Sequence, residues 1–211
     1  MQPHPILKTA RLILRPLVRE DAEALHPTFA DAATMRWIGH PHRSVEQTRA
    51  AFTDWAAARA ATRAAASPFR RAWAIRLDEP DQPDRPAIGS VTLRSIHIPE
   101  AGPEAGPDAG PEAGKGPGGC ARIGFVVADG WRGRGYVPEA VAAVIGYAFT
   151  GLGLHRIALH LDPGNAGGLR VAEKLGFTPE GRTRRSARIG DEWRDEAIFG
   201  LLVEEWRRHG R

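Results

Sequence analysis

The segment WRGRGYVP, residues 131–138, is the part of the chain best suited to chemistry. It stands between an alternating apolar stretch (Ile123, Phe125, Val127) and a run with apolar residues at helical spacing (Val141, Val144, Ile145, Ala148). Strand, glycine-rich turn and helix start together outline an anion site. Gly133 and Gly135 admit backbone conformations that other residues avoid, and the free amides of a first helical turn point at whatever lies in front of them. Arg132 and Arg134 add positive charge there. On spacing alone, a bound diphosphate and a plain tight turn with exposed arginines are equally good accounts. The usual nucleotide loop is absent, since no lysine followed by Ser or Thr closes the motif. The dinucleotide fingerprint fails as well, because Pro138 stands where its third glycine would fall.

Other polar residues invite a role and also have simple structural accounts. Glu139 lies at the second position of a helix starting at Pro138, where the helix dipole stabilises a carboxylate whether or not it does chemistry. Asn165 follows the turn Asp162-Pro163-Gly164 and reads as a helix N-cap. His160 is out of phase with Ile157, Leu159 and Leu161, so it faces the other side of its sheet, as a proton relay or as a satisfied buried imidazole. Arg182, Arg184, Arg185, Arg188 and Arg194 crowd one predicted hairpin, which either attracts an acidic peptide, adenosine phosphates or RNA, or is a solvated strand pair.

These residues are positioned by a mixed set of elements. Residues 11–17, 73–77, 88–96, 157–161, 182–188 and 196–203 read as strands, as does the alternation at 123–127. Ser44 with Gln47 forms a capping box ahead of a helix carrying Val45, Phe52 and Trp55. A helix from 138 stops at Gly151, and another from about 166 to 175 closes on Gly176 and Phe177. The class is α+β with a mixed sheet. Residues 99–119, PEAGPEAGPDAGPEAGKGPGG, hold 7 of the 24 glycines and 5 of the 17 prolines, and such a composition predicts disorder. They mark a boundary between two half-chains or an insertion at a hairpin tip, which is tolerable because closure cost grows only with the logarithm of length.

With 211 residues, 42% hydrophobic and 26% charged, the chain is sized for one good domain or two small ones. Lys8, Lys115 and Lys174 are the lysines among 29 basic residues, so arginine dominates a chain of net charge +4 and pI near 9.8. The single cysteine, Cys120, excludes an internal disulfide framework and a multi-cysteine metal site. No metal is expected. No apolar run is long enough for a membrane span, and the N-terminal residues lack the unbroken apolar stretch of a signal peptide. A cytoplasmic location is therefore expected. The six tryptophans lie in no alternating basic and aromatic run, which argues for packing over base stacking and against nucleic acid as a partner.

The runs IGFVVADGWRGRGYVPEA and GLGLHRIALHLDPGNAGGLRVAEKLGF resemble the core of the GNAT superfamily of N-acetyltransferases, and most closely its RimJ/RimL-type group of ribosomal-protein N-terminal acetyltransferases. The superfamily's loop motif falls on Arg132, Gly135 and Val137, with valine where glycine or alanine is usual. TARLILRPLVREDAEAL and GDEWRDEAIFGLLVEEW resemble the same group, so the likeness covers nearly the whole chain outside 99–119. It implies a single domain, residues 1–211, whose central mixed sheet splays between the strand ending near Val127 and the strand at 157–161. Residues 99–119 then become an insertion between two strands. Acetyl-CoA is the implied co-substrate, with pyrophosphate on Arg132, Gly133, Arg134, Gly135, Tyr136 and Val137. Pantetheine would lie along Phe125, Val126 and Val127, whose N–H groups would face the thioester oxygen.

Direct transfer to an amine needs a neutral nucleophile, donors for the oxyanion and a proton for the leaving thiolate. Several of the family's candidates are missing. The common tyrosine acid is Ala172, the group's serine is Gly168, and its frequent glutamate is Arg122. Asn165 matches the group's asparagine as a cofactor or catalytic contact, Glu139 is a second catalytic candidate, and Asp195 matches an acidic position in the family's last hairpin, for recognition of the substrate amine or solvation of a strand end. Neutralising a lysine at pH 7 costs roughly 4.6 kcal/mol, against roughly 1.4 kcal/mol for an α-amine. With no obvious strong base, the expected acceptor is an α-amine at a protein or peptide N-terminus. A small-molecule amine, a non-catalytic acetyl-CoA-binding module and a nucleic-acid module are the alternatives, and the chain is expected to be a monomer or homodimer.

Overall fold

The computed structural model describes residues 4–60, 70–79, 81, 85–97 and 119–208. The repeat segment read at 99–119 lies outside the described residues except for Gly119, whose carbonyl accepts a hydrogen bond from His155 N at 3.1 Å. Eight strands form one sheet: β1 (Leu7–Lys8), β2 (Leu12–Pro16), β3 (Arg70–Leu77), β4 (Gly89–His97), β5 (Cys120–Val127), β6 (Arg156–Leu161), β7 (Thr178–Ile189) and β8 (Glu192–Leu202). Their spatial order is β1-β2-β3-β4-β5-β6-β8-β7. β4 and β5, the strands flanking residues 98–118, are antiparallel neighbours with Gly89 opposite Val127 and His97 opposite Cys120.

Among the described strands, β5 and β6 form the parallel pair, and they pair only briefly: Cys120 with Arg156, Ala121 with Ile157 and Arg122 with Ala158. Beyond Arg122 the two strands diverge. β4 nevertheless follows β5 to Val127, and β8 follows β6 to Leu161. The sheet therefore opens as a V at its centre while each arm stays hydrogen-bonded to its outer neighbour.

Strand alternation supplies two cores. On one face Trp73, Ile75, Leu93, Ile123, Ile157 and Leu159 pack with Val141, Val144 and Ile145 of α4 (Tyr136–Thr150). On the other, Ala72, Ala74 and Val126 pack with Leu25 and Phe29 of α1 (Ala22–Ala30), Met35 of α2 (Ala32–Met35) and Phe52 of α3 (Val45–Ala60). The small alanines of β3 let those helices lie close. α5 (Ala166–Lys174) and α6 (Val203–Arg208) complete the layers. Among the described residues no helix is long and apolar enough to cross a membrane.

The sequence reading misplaces some boundaries. α4 begins at Tyr136, not Pro138, with Gly135 as its N-cap at φ 80°. Pro138 is thus the third helical residue, where its missing N–H costs nothing because first-turn amides lack intrahelical acceptors. Glu139 accordingly stands fourth, and its amide makes the helix's first bond, to Gly135 O at 3.3 Å. α1 escaped notice because Pro27 interrupts its pattern. Half of the Ser44/Gln47 box forms: Gln47 N donates to Ser44 Oγ at 3.2 Å, while Gln47 Oε1 accepts from Arg43 N at 2.8 Å, one residue before the cap. Gly176, at φ 78°, ends α5 while Phe177 N donates to Ala172 O at 3.0 Å, as a glycine cap requires.

Candidate active site

A cleft of about 590 Å³ fills the mouth of the V. Phe125, Val126, Val127, Arg132, Gly133, Gly135, Tyr136, Val137 and Asn165 all line it. Arg134 and Glu139, from the same sequence-based set, do not. Arg134 lays its guanidinium over the Trp131 ring at 5.0 Å.

Two kinds of backbone donor face this space. Gly133 (φ 74°) and Gly135 (φ 80°) hold left-handed conformations that turn the chain sharply into α4. The amides of Tyr136 and Val137 precede the helix's first bond, so they lack intrahelical acceptors. Along β5, Ala128 N bonds Ile88 O at 2.9 Å, which sets the alternation. Val126 and Gly124 direct their peptide groups to β4, whereas Val127 and Phe125 direct theirs the other way, into the gap that β6 has left.

The loop is braced from the turn between β1 and β2. Glu139 Oε1 accepts from Thr9 Oγ1 at 2.6 Å and from Arg11 N at 3.0 Å, and Oε2 accepts from Arg11 Nε at 2.7 Å. Burial works against this carboxylate, but those hydrogen bonds outweigh it and hold Glu139 below its ordinary range. Arg11 also donates to Arg134 O at 3.1 Å. Glu139 therefore ties α4 and the glycine loop to the turn between β1 and β2, and it is not among the residues that line the cleft. Arg132 spans Thr34 Oγ1 (2.5 Å) and Asp129 Oδ1 (2.8 Å), tying the loop to α2. Asn165 caps α5, its Oδ1 accepting from Gly168 N at 2.9 Å. A Cβ on Gly168 would lie 2.9 Å from Leu161 Cδ2 and 3.0 Å from Asn165 Nδ2, so this site is shaped around glycine. Ala172 is fully buried and contributes no proton donor.

A second cavity of about 470 Å³ opens on the α1/α3 face and shares Ile38, Phe125 and Val126 with the first. It contains His42, which the sequence did not single out. His42 stacks on Phe29 at 5.3 Å, and its Nδ1 meets Thr48 Oγ1 at 2.9 Å; Thr48, fully buried, also meets His26 Nδ1 at 3.0 Å. Burial, with the nearby His26 adding to it, pushes the His42 pKa below the ordinary imidazole value. His42 is thus neutral near pH 7 and, with Nδ1 engaged, presents Nε2 as its remaining nitrogen. Gln47, His40, Arg70, Ser90 and Thr92 also line this cavity.

Several of the remaining sequence candidates have structural partners. Asp195 accepts from Arg182 Nε (2.9 Å) and Arg185 N (2.8 Å), Arg188 pairs with Asp191, and Arg194 pairs with Asp162 and Glu192. His160 does face away from the α4 side, where Arg122 Nη2 donates to its ring at 2.8 Å. Burial and then Arg122 depress its pKa against the pull of Glu196. Cys120 Sγ is 3.6 Å from His155 Nε2, a partner the sequence did not reveal. The pair sits at the opposite end of β5 from Val127, about 23 Å along the strand. Among the described residues, no cluster of His, Cys, Asp or Glu is arranged to hold a metal ion.

Comparisons with known proteins agree with this geometry. Residues 11–178 match the family described as the acetyltransferase (GNAT) domain. The chain is 37% identical over 84 residues to the uncharacterized N-acetyltransferase YnaD of Bacillus subtilis, covering 40% of this chain and 49% of that protein. It is 30% identical over 84 residues to the [ribosomal protein uS5]-alanine N-acetyltransferase of Escherichia coli, covering 40% and 43%. The chain thus spans somewhat less than half the length of these curated relatives. A solved structure of RimL, a ribosomal L7/L12 alpha-N-protein acetyltransferase in complex with coenzyme A, superposes with a TM-score of 0.71 over 95% of this chain and 99% of that one at 16% identity, a likeness of fold. A parallel seam that parts into a V, a glycine loop at its mouth and a family match across most of the length lead to one conclusion: the chain belongs to the GNAT family of acetyltransferases.

Proposed function

We propose that this protein transfers the acetyl group of acetyl-CoA directly to a primary amine, foremost the α-amine at the N-terminus of a protein. The observation that carries this reading is the junction of the two cavities at Phe125 and Val126: one lies against the glycine loop and the other against His42. The first cavity suits acetyl-CoA. The amides of Tyr136 and Val137, with Arg132, would hold its pyrophosphate, and β5 would pair with its pantetheine arm. Bound there, acetyl-CoA supplies a thioester carbonyl activated toward amines.

The chain's own residues then divide the work. Val127 N–H, directed into the gap, stabilises the oxyanion. His42, neutral near pH 7, accepts the proton that the amine loses as its nitrogen bonds the carbonyl carbon. The leaving sulfur takes a proton from solvent, since neither Ala172 nor Gly168 offers one. An imidazole of depressed pKa is a modest base, adequate for an α-amine and poorly matched to lysine. The relatives favour the same acceptor class, one being named for an alanine of ribosomal protein uS5 and another as an alpha-N-protein acetyltransferase. A protein of this kind would work in the cytoplasm, as monomer or homodimer.

The test is a peptide set with free α-amines and internal lysines, incubated with acetyl-CoA and analysed by fragment mass spectrometry alongside thiol release. Acetylation at the α-amine is expected. Modification confined to lysine would overturn the choice of acceptor, and acetyl-CoA binding without thiol release on any amine would favour a non-catalytic acetyl-CoA-binding module.

A further inference from the structure

Arg70, Arg94 and Arg122 stand directly opposite one another on three successive strands, Arg70 with Arg94 across β3 and β4, and Arg94 with Arg122 across β4 and β5. Like charges in register destabilise a sheet. Around Arg94 and Arg122 the described surroundings compensate little. Glu196 is the carboxylate at hand, 3.9 Å from Arg122 Nη1, and it is shared with His160 at 3.5 Å. Arg94 is exposed and, among the described residues, has no carboxylate at ion-pair distance. Arg122 Nε is buried without a hydrogen-bond partner. Burial lowers the pKa of both Arg70 and Arg122, with Arg94 acting in the same direction, while Glu196 partly opposes the shift at Arg122. Arg182, Arg188 and Arg194 of the β7–β8 hairpin, by contrast, are each matched by a carboxylate.

The row lies on the face of the second cavity. Arg122, Gly124 and Val126 alternate onto one side of β5, Thr92 and Arg94 onto the same side of β4, and Arg70, Thr92, Gly124 and Val126 line that cavity. It is therefore on the acceptor's side and away from the glycine loop. Resting on the acetyltransferase reading, we propose that Arg70, Arg94 and Arg122 form an anion subsite for the acceptor, an N-terminal peptide segment with Asp or Glu a few residues after the reacting amine. Four residues separate Val126 from Arg122, about 13 Å along the strand, and an extended peptide has the same rise, which puts the carboxylates at about the third to fifth positions. Guanidinium forks suit carboxylates in pairs. A free amino acid holds its carboxylate too close to its amine to span this distance, and a polyamine would be repelled.

The experiment compares a peptide with a free N-terminal serine and Asp or Glu at positions three to five with its Asn/Gln counterpart, by steady-state acetylation and by fluorescence anisotropy on protein saturated with coenzyme A. The acidic peptide should show a KM and Kd at least about tenfold lower, eroding with salt. Arg94→Glu should abolish that preference and favour a counterpart with Lys at the same positions, while binding acetyl-CoA as the parent does, which shows that it folds. Arg122→Gln should weaken the preference in the same direction. Equal KM and Kd for the acidic and amide peptides, or a preference untouched by Arg94→Glu, overturns the subsite, as does Arg94-dependent binding of a single-stranded RNA without peptide preference. Arg94-dependent binding of the acidic peptide without acetylation would leave the subsite standing and remove the transferase reading. Acetylation without acidic preference would do the reverse.

Discussion

At the scale of residues, the site divides into groups that touch the cavities and groups that hold those in place. Glu139 shows the difference: its position beside an anion loop suggests chemistry, yet both its oxygens are engaged by Thr9 and Arg11. His42 is the converse. Nothing in the run Gly39-His40-Pro41-His42 marks it, because its environment is made by Thr48, by His26 on another helix and by Phe29 beneath its ring. Removing the imidazole in His42→Ala should lower kcat by about 10²- to 10⁴-fold, the usual worth of a positioned base, with acetyl-CoA affinity kept; a kcat within threefold of the parent would remove His42 from the chemistry. Its protonation also bears on stability. A folded-state pKa below the unfolded value means the unfolded chain binds more protons in the interval between them, so stability falls as pH drops below about 6.5 and levels off once the folded pKa is passed. His160 acts in the same sense. Denaturant melts at descending pH should show that loss, and a His42→Gln variant should show less of it.

At the scale of elements, the parting of β5 from β6 matters most, and the residues that attend it were partly legible. Gly133 and Gly135 signalled the turn because few residues adopt their positive φ, and the alternation at Ile123, Phe125 and Val127 fixed which residues reach the gap. The start of α4 was misjudged by two residues because Pro138 suits any first-turn position. The second cavity was not legible at all: α1, broken in pattern by Pro27, and α2, only four residues long, carry little periodicity, yet they build its wall. α5 offers a separable test. Asn165 both caps the helix and lines the cleft. Asn165→Ala should cost about 1 kcal/mol of stability through the lost cap, whereas Asn165→Asp caps equally well. A drop in acetyl-CoA affinity with unchanged Tm in the Asp variant is expected, and would separate the contact from the cap. Parental affinity in that variant would leave Asn165 a cap alone.

At the scale of the whole molecule, the sequence conveyed a mixed sheet with helices on it, since hydrophobic period and glycine punctuation act locally, and the resemblance supplied the splay. The arginine surplus is the property that only the assembled sheet explains. Arg132 braces the loop, three of the hairpin arginines are matched by carboxylates, and Arg70, Arg94 and Arg122 come together solely through strand register, from positions far apart in the chain. All of these assignments depend on acetyl-CoA occupying the mouth of the V, and calorimetric titration tests that occupancy most directly. The parent protein should bind acetyl-CoA at a single site. Gly135→Glu should bind it far more weakly while remaining folded by circular dichroism, since the substitution adds a side chain and a negative charge to the turn proposed to present amides to the phosphates, at a left-handed position with a backbone cost of only about 1–2 kcal/mol. No binding by the parent, or binding that Gly135→Glu leaves unchanged, would contradict the account.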